Sequence, residues 1–332
     1  MNRMTIKEAV GDIALRLSEA KVHGRLGCAL IGAGVSKTGG VPLAADLLED
    51  MLGRYSQHCK DIDPKAPNAY GIAMSKLTIY EQKDLIVDYI KNSKINWGSI
   101  ALAQLLDDGL VQRVLTVNFD PLLSRACALI GLQPAVYDFA AAPSAEVERL
   151  ASPAIVHLHG QSYGFVLLND NEQTTKHGES IAPIIQNSVD NGPLIVLGYS
   201  GGADGVFDTL RNEYKSKHRL YWLGYEENPS GKLAEFLNVK HVTYVGNVDA
   251  DSFLIELARA LEAWPPKILN DPLGHLMDMM DGVTASPRFG KDKKESTEDP
   301  LEDWKANIRH KKSIDEREEE ELREVRRLWW RG

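Results

Sequence analysis

Apolar positions along the chain fall into two rhythms. Short apolar runs recur at "GCALIG" (27–32), "VQRVLTV" (111–117), "PAVYDF" (134–139), "AIVHLH" (154–159), "PLIVLGY" (193–199), "RLYWLGY" (219–225) and "HVTYVG" (241–246). Several are apolar on both faces, as parallel strands are when helices cover each side. Between them, 205–217, 228–238 and 249–264 have the longer spacing of amphipathic crossover helices. This order predicts an α/β fold, a Rossmann-like doubly wound parallel sheet. The N-terminal "MNRMTIKEAVGDIALRL" alternates charged and apolar residues, which predicts an amphipathic helix and not a signal peptide.

One interval breaks the rhythm. Residues 32 to 111 separate the first two strands, with helical periodicity in 43–57, 79–91 and 97–108. A crossover normally needs one helix, so a helical insertion, about 42–110, is expected to pack over the ligand edge of the sheet. Past Pro265-Pro266 the composition shifts, and 25 of the 42 residues in 291–332 are charged. Ile314, Leu322, Val325 and Trp329 could line one side of a helix there. Two readings stay open: a solvated or partly disordered tail, or a partner-binding helix, towards which Trp329-Trp330 tilts the balance. The expected organisation is one domain over 1–265 and a charged tail over 266–332.

Composition narrows the class. The 332 residues are 43% hydrophobic and 26% charged, ordinary for a globular protein. No apolar run approaches the roughly 20 residues needed to span a bilayer. Cys28, Cys59 and Cys127 lie far apart with no CxxC pair, which points to a reducing, cytoplasmic setting and to no cysteine metal site. A net charge of −9 argues against a broad phosphate-neutralising surface, and no direct nucleic-acid contact is expected.

Candidate chemistry sits where the strands end. "GAGVSKTGGVP" (32–42) follows the first strand, but Lys37 spoils both a Walker A loop and a dinucleotide fingerprint. Gly32 and Gly34 still allow close backbone approach, and Ser36 could offer a hydroxyl and an N–H to a diphosphate. A tight structural turn explains the same residues. Asn118 and Asp120 follow the second strand, where their side chains would enter the cleft; the competing reading is that they cap the helix starting near Pro121. In "AIVHLHG" both histidines share a face. His159 stands at the strand end as a candidate base, and His157, two residues deeper, reads as structural. No carboxylate pair or HExxH motif competes.

"GAGVSKTGGVP", "TVNFDPLLSRA" (116–126), "HLHG" (157–160) and "GYSGGAD" (198–204) come in the order of the sirtuin superfamily's blocks. They resemble its Gly-Ala-Gly-x-Ser…Gly-Ile-Pro, Thr-Gln-Asn-Ile-Asp-x-Leu, His-Gly and Gly-Thr-Ser. The resemblance covers roughly 25–250 and implies NAD as substrate, with cleavage of its nicotinamide–ribose bond. It implies catalytic roles for Asn118, His159 and Asp120, and cofactor contacts from Gly32, Ala33, Gly34, Ser36, Pro42, Gly198, Tyr199 and Ser200. Asp204 falls one residue later than the usual Asp. Tyr225, Glu226 or Asn228 could meet the adenosine ribose, or form a solvated turn.

The departures choose the branch. "GQSYGFVLLNDNEQTTK" (160–176) carries no cysteine for the zinc module of protein deacylases, and "GVPLAADLLEDML" (40–52) lacks their Asp-Phe-Arg. What remains is similar to the zinc-free sirtuin-like NADase domains of bacterial anti-phage systems. That implies an NAD+ hydrolase acting in abortive infection. It also implies a homo-oligomer, or a defence partner such as an ATPase, helicase or Argonaute-like protein. An ADP-ribosyl transferase or cyclase using the same cleft, and a non-catalytic module sensing NAD or an ADP-ribose derivative, are the alternatives.

Overall fold

The computed structural model describes all residues except 67–68, 163, 165–167, 169–170, 203–204, 285–299 and 330–332, and it omits the side chains of 171–173, 300 and 324–329. Eight parallel strands are described: β1 (Asn2–Arg3), β2 (Cys28–Ile31), β3 (Arg113–Thr116), β4 (Ala135–Asp138), β5 (Ala154–His157), β6 (Leu194–Leu197), β7 (Leu220–Leu223) and β8 (Val242–Val245). They form one sheet in the order β1-β8-β7-β6-β2-β3-β5-β4. The seven apolar runs are β2 to β8. Both edge strands are partly exposed, and every residue of the six between them is buried.

Successive side chains of a strand point to opposite faces, and the core divides accordingly. Ala29, Ile31, Val114, Ile155, Ile195 and Tyr221 meet the helices Ile6–Val22, Trp97–Asp107 and Ala250–Ala260. Cys28, Leu30, Leu115, Val156, Val196 and Trp222 meet the helices Asn171–Asp190, Gly205–Glu213 and Gly231–Phe236. The twenty-residue helix Asn171–Asp190 is an addition to the expected elements, polar on average and with Pro183 inside it. β1 is another: a two-residue strand is too short to show any period.

The chain from β2 to β3 carries the helices Ala44–Arg54, Ser56–Cys59, Ala69–Ser75, Ile79–Asn92 and Trp97–Asp107. The first four hold a core of their own, built on Met51, Met74, Leu85 and Ile90, and Phe119 packs against it. Phe119 lies between Asn118 and Asp120, so these helices lean on the loop after β3, while Trp97–Asp107 packs on the sheet itself.

The chain divides into two compact units, Met1–Trp264 and Pro265–Gly332. In the second, the helices Pro272–Asp281 and Pro300–Trp329 are tied by Lys305 to Asp281, and Lys312 pairs with Asp271 just ahead of the first. Ile314 and Leu322 are exposed on the long helix, and the side chains of Val325 and Trp329 lie outside the described residues. Among the described residues no helix is long and apolar enough to cross a membrane.

Candidate active site

β2 feeds its neighbour β3 on one side and β6 feeds β7 on the other, so the sheet's connections part between β2 and β6. Ligands of open α/β sheets bind at the carboxyl ends of strands beside such a point. The loops after β2 and β6 touch there. Gly34 N–H donates to the Gly198 carbonyl at 2.9 Å. A Cβ on Gly32 would stand 2.7 Å from that carbonyl oxygen, and one on Gly34 2.8 Å from Gly198 Cα. Gly198 itself sits at φ 65°, where side chains are rarely tolerated. The approach of the two loops therefore accounts for these three glycines without a phosphate.

Ser36 is also spent inside the protein. It is 2% exposed, its N–H donates to the Ala33 carbonyl at 3.0 Å, and its hydroxyl accepts from Asn118 Nδ2 at 3.1 Å. That hydroxyl also bonds to Asp120. Neither group is left for the diphosphate that the sequence suggested. Asn118 Nδ2 gives its second hydrogen to the Gly32 carbonyl, also at 3.1 Å. With both hydrogens turned inward, Asn118 Oδ1 is buried without a partner. The opposite amide orientation would set two oxygens against each other at Gly32. Asn118 therefore offers an acceptor only, not the donor and acceptor expected of a free amide.

Asp120 Oδ1 accepts from Leu122 N–H at 3.0 Å, an Asx turn that leads into the helix Leu122–Leu129, whose N-cap position is held by Pro121. Burial pushes its carboxyl pKa up, against hydrogen bonds from Leu122 and Ser36 that pull it down. A chain thus runs from Asn118 Nδ2–H to Ser36 O–H to Asp120, with the carboxylate as its final acceptor.

The two histidines take different partners. His157 Nδ1 bonds to the Asn118 carbonyl at 3.1 Å, which requires Nδ1 to be the protonated nitrogen and leaves Nε2 as an acceptor. His159 lies near His177 of the helix Asn171–Asp190. Burial, reinforced by His177, pushes its pKa down to about 4, so its ring is neutral at pH 7. His157 and His177 are lowered as well, chiefly by burial. The Nε2 atoms of His157, His159 and His177 are all buried and unpartnered. A cavity of about 10 Å³, the size that admits one water, is lined by Ser36, Thr116, Asn118, Asp120 and His157 among others. His157, read as structural, borders it; His159 does not.

The remaining expected contacts are more scattered. The Tyr199 ring packs against Trp222 with centroids 5.8 Å apart, and it is Cα and Cβ of Tyr199 that border Gly32. Ser200 is exposed, while Ala33 and Pro42 are half-buried. Asn228 accepts from Arg3 at 2.8 Å, Tyr225 is 83% exposed, and Asp204 lies outside the described residues. Asn96 and Asp251 were not foreseen. Asp251 accepts from Thr38, Asn96 and the Gly98 N–H, and Asn96 also donates to the Val35 carbonyl at 2.6 Å. Together they hold the 32–40 loop. Their separation of 155 residues hides the pair from any local pattern. Among the described residues no three His, Cys, Asp or Glu side chains gather as metal ligands.

Residues 112–245 match the family model of the SIR2-like domain. No curated protein matches the chain. Similar solved structures include Sir2Tm bound to a propionylated peptide, 19% identical with a TM-score of 0.45, covering 77% of this chain and 98% of that one. A complex of Sir2, a p53 peptide and NAD+ is 19% identical with a TM-score of 0.44, over 77% and 98% of the two chains. A structure solved for sirtuin substrate affinity is 19% identical with a TM-score of 0.46, over 79% and 100%.

Proposed function

We propose that the chain is an NAD+ glycohydrolase, converting NAD+ and water to ADP-ribose, nicotinamide and a proton. The observation that carries this reading is the Asn118 amide, fixed by Gly32 and Ser36 with a buried, unpartnered Oδ1 beside the sheet's switch point. The SIR2-like match over 112–245 supports it, since it spans Asn118 and His159.

The chemistry suits a site of neutral acceptors. The C1′–N bond breaks with its electron pair going to nicotinamide, which leaves uncharged and needs no acid. The ribose becomes oxocarbenium-like, and water bonds to C1′. Asn118 Oδ1 accepts a hydrogen from that water or from a ribose hydroxyl, and its partial negative charge faces the growing cation. His159 Nε2 receives the proton and passes it to solvent. A base with a pKa of about 4 is weak, but water attacking a cation asks little of it. A histidine already protonated before the attack would repel the oxocarbenium-like ribose. His157 positions Asn118 through the 3.1 Å bond to its carbonyl, and Asp120 does so through Ser36.

The sequence resemblance extends the proposal to a zinc-independent, oligomeric or partnered anti-phage effector. The test incubates the purified full chain with NAD+ and a chelator and separates the products. Nicotinamide and ADP-ribose in equal amounts, with oxygen-18 from labelled water in the ADP-ribose, support hydrolysis. A cyclic or protein-linked ADP-ribose assigns the transferase or cyclase reading, and saturable binding without cleavage assigns a sensor. NAD+ loss during phage infection of cells carrying the chain tests the defence role.

A further inference from the structure

A second cavity, of about 250 Å³, opens at the opposite edge of the sheet. Arg16, Glu19 and Ala20 of the helix Ile6–Val22 line it, with Arg25, Pro193 before β6, Lys217 to Arg219 before β7, and His241 before β8. These residues surround the amino ends of β6, β7 and β8, whereas the candidate active site lies at the carboxyl ends of β2, β3 and β5, so the two sites are at opposite ends of the sheet.

The lining is cationic in a protein whose net charge is −9. Arg16, Arg25, Lys217 and Arg219 bring four permanent positive charges. Three carboxylates answer them. Glu19 bonds to Arg16 Nη1 at 2.8 Å, Asp190 to Lys217 at 2.5 Å, and Asp12 lies 3.5 Å from Arg16 Nε and 3.8 Å from Arg219 Nη1. Asp12 already accepts the Tyr221 hydroxyl at 2.7 Å. At 3.8 Å the Arg219 contact is an ion pair without a hydrogen bond. Arg16 Nε is buried and makes no hydrogen bond. Arg25, carried out of the helix by Gly24 at φ 63°, has no ion pair or side-chain hydrogen bond among the described residues. One positive charge and several guanidinium hydrogens are therefore unspent around one cavity.

Two histidines add to this. His241 holds a left-handed backbone, φ 65°, a conformation that a glycine would adopt more cheaply. The pKa of His218 is lowered by burial and then by repulsion from Arg25, while Asp190 opposes both. An anion in the cavity would remove that repulsion and let His218 donate.

We propose that this cavity binds a small phosphorylated ligand. Guanidinium forks match phosphate oxygens two at a time, which favours a phosphoryl group over a lone carboxylate. The volume lies below the roughly 300–1,000 Å³ typical of pockets for drug-sized ligands, so the ligand is smaller than a dinucleotide. The site is independent of NAD+ cleavage and does not rest on it.

Calorimetric titration of the full chain with inorganic phosphate, pyrophosphate and adenosine monophosphate tests the assignment. At least one is expected to bind with one-to-one stoichiometry. Arg25→Ala and Arg219→Ala should each weaken it by about tenfold or more, the loss expected for one charge-assisted hydrogen bond. Arg25→Ala removes no described contact, so its folding is not in question. Arg54→Ala, a cation paired with Asp50 and Asp88 elsewhere, should leave the affinity unchanged. Tighter binding of the nucleotide than of pyrophosphate identifies an organic ligand, and the reverse order an inorganic one. Absence of saturable binding by all three would overturn the proposal. So would an affinity that ignores Arg25 and Arg219 but falls in Asn118→Ala, which would place the anion in the active site instead.

Discussion

At the carboxyl ends of β2, β3 and β5 the chain buries Ser36, Asn118, His157 and His159, uncharged groups whose available hydrogens largely point inward. At the amino ends of β6, β7 and β8 it presents Arg16, Arg25, Lys217 and Arg219 around an open cavity. The first edge is left with unpartnered acceptors, the second with unspent donors. Buried acceptors cost about 1–3 kcal/mol each when unsatisfied, so they persist where something else completes them. Acceptors suit a centre that becomes positive, such as a ribose losing nicotinamide. Donors with fixed charge suit a ligand that arrives negative, and they tolerate water because their charge need not be desolvated to act. One sheet thus keeps two opposite electrostatic environments apart simply by having two ends.

The largest effects are expected at the carboxyl edge. Asn118→Ala should lower nicotinamide release by about 10²–10³-fold per folded molecule, the usual loss when a transition-state contact is removed. It should also cost about 1–3 kcal/mol of stability, because Gly32 O and Ser36 Oγ lose their donor. His159→Ala should reduce turnover by about 10²–10⁴-fold. His157→Ala, which frees the Asn118 carbonyl, should mainly lower the melting temperature. Turnover assays paired with thermal melts on the three variants check this. Normal turnover in folded Asn118→Ala and His159→Ala proteins would move the chemistry away from this edge.

Much of this edge was legible in the sequence, for physical reasons. β2, β3 and β5 to β8 stood out because burial on both faces forces consecutive apolar residues, and residues just past a parallel strand lie at the edge where ligands bind. That logic singles out Asn118 and His159 as candidates without coordinates. It cannot find the orientation of the Asn118 amide, which depends on a carbonyl 86 residues away. Nor does it reveal that Ser36 serves Asn118 and not a phosphate. The helix Asn171–Asp190 was hidden by its polarity and Pro183, and His177 was hidden with it. The amino edge was less legible still, because its cations come from three separate segments, with only Lys217 and Arg219 close in sequence.

A smaller effect should appear in the pH dependence of stability. His159 titrates near 4 in the folded chain and near 6.5 when unfolded. Its folded pKa is depressed, so its contribution is present above pH 6.5 and is lost as pH falls towards 4, where the unfolded chain takes a proton that the fold refuses. A shift of this size corresponds to about 3 kcal/mol. Urea denaturation of wild type and His159→Gln between pH 7 and 4.5 should show a shallower loss in the variant. Equal slopes would mean that His159 is solvated, and the carboxyl edge would lose the dryness that sets it apart from the other end.

The smallest effect is expected from Asp120→Asn, and it asks whether the carboxyl edge carries any working charge. Asn forms the same Asx turn as Asp, so its oxygen can still accept from Leu122 N–H and from Ser36. The change in stability should stay under about 1 kcal/mol. Its sign follows from the raised pKa of the carboxyl. Such a group contributes stability below its unfolded pKa and loses it as pH rises through the folded pKa, so at pH 7 the wild type carries the cost of a buried carboxylate. Asp120→Asn should therefore melt at or slightly above the wild-type temperature at pH 7, with the gain fading as pH falls and the wild-type carboxyl protonates. Turnover should change by less than about tenfold, since the amide keeps the Ser36–Asn118 chain in place. A loss of about 10² or more with the melting temperature preserved would mean that the carboxylate itself faces the ribose cation. The carboxyl edge would then work through a full negative charge, and the two ends of the sheet would be opposite charges instead of acceptors facing donors.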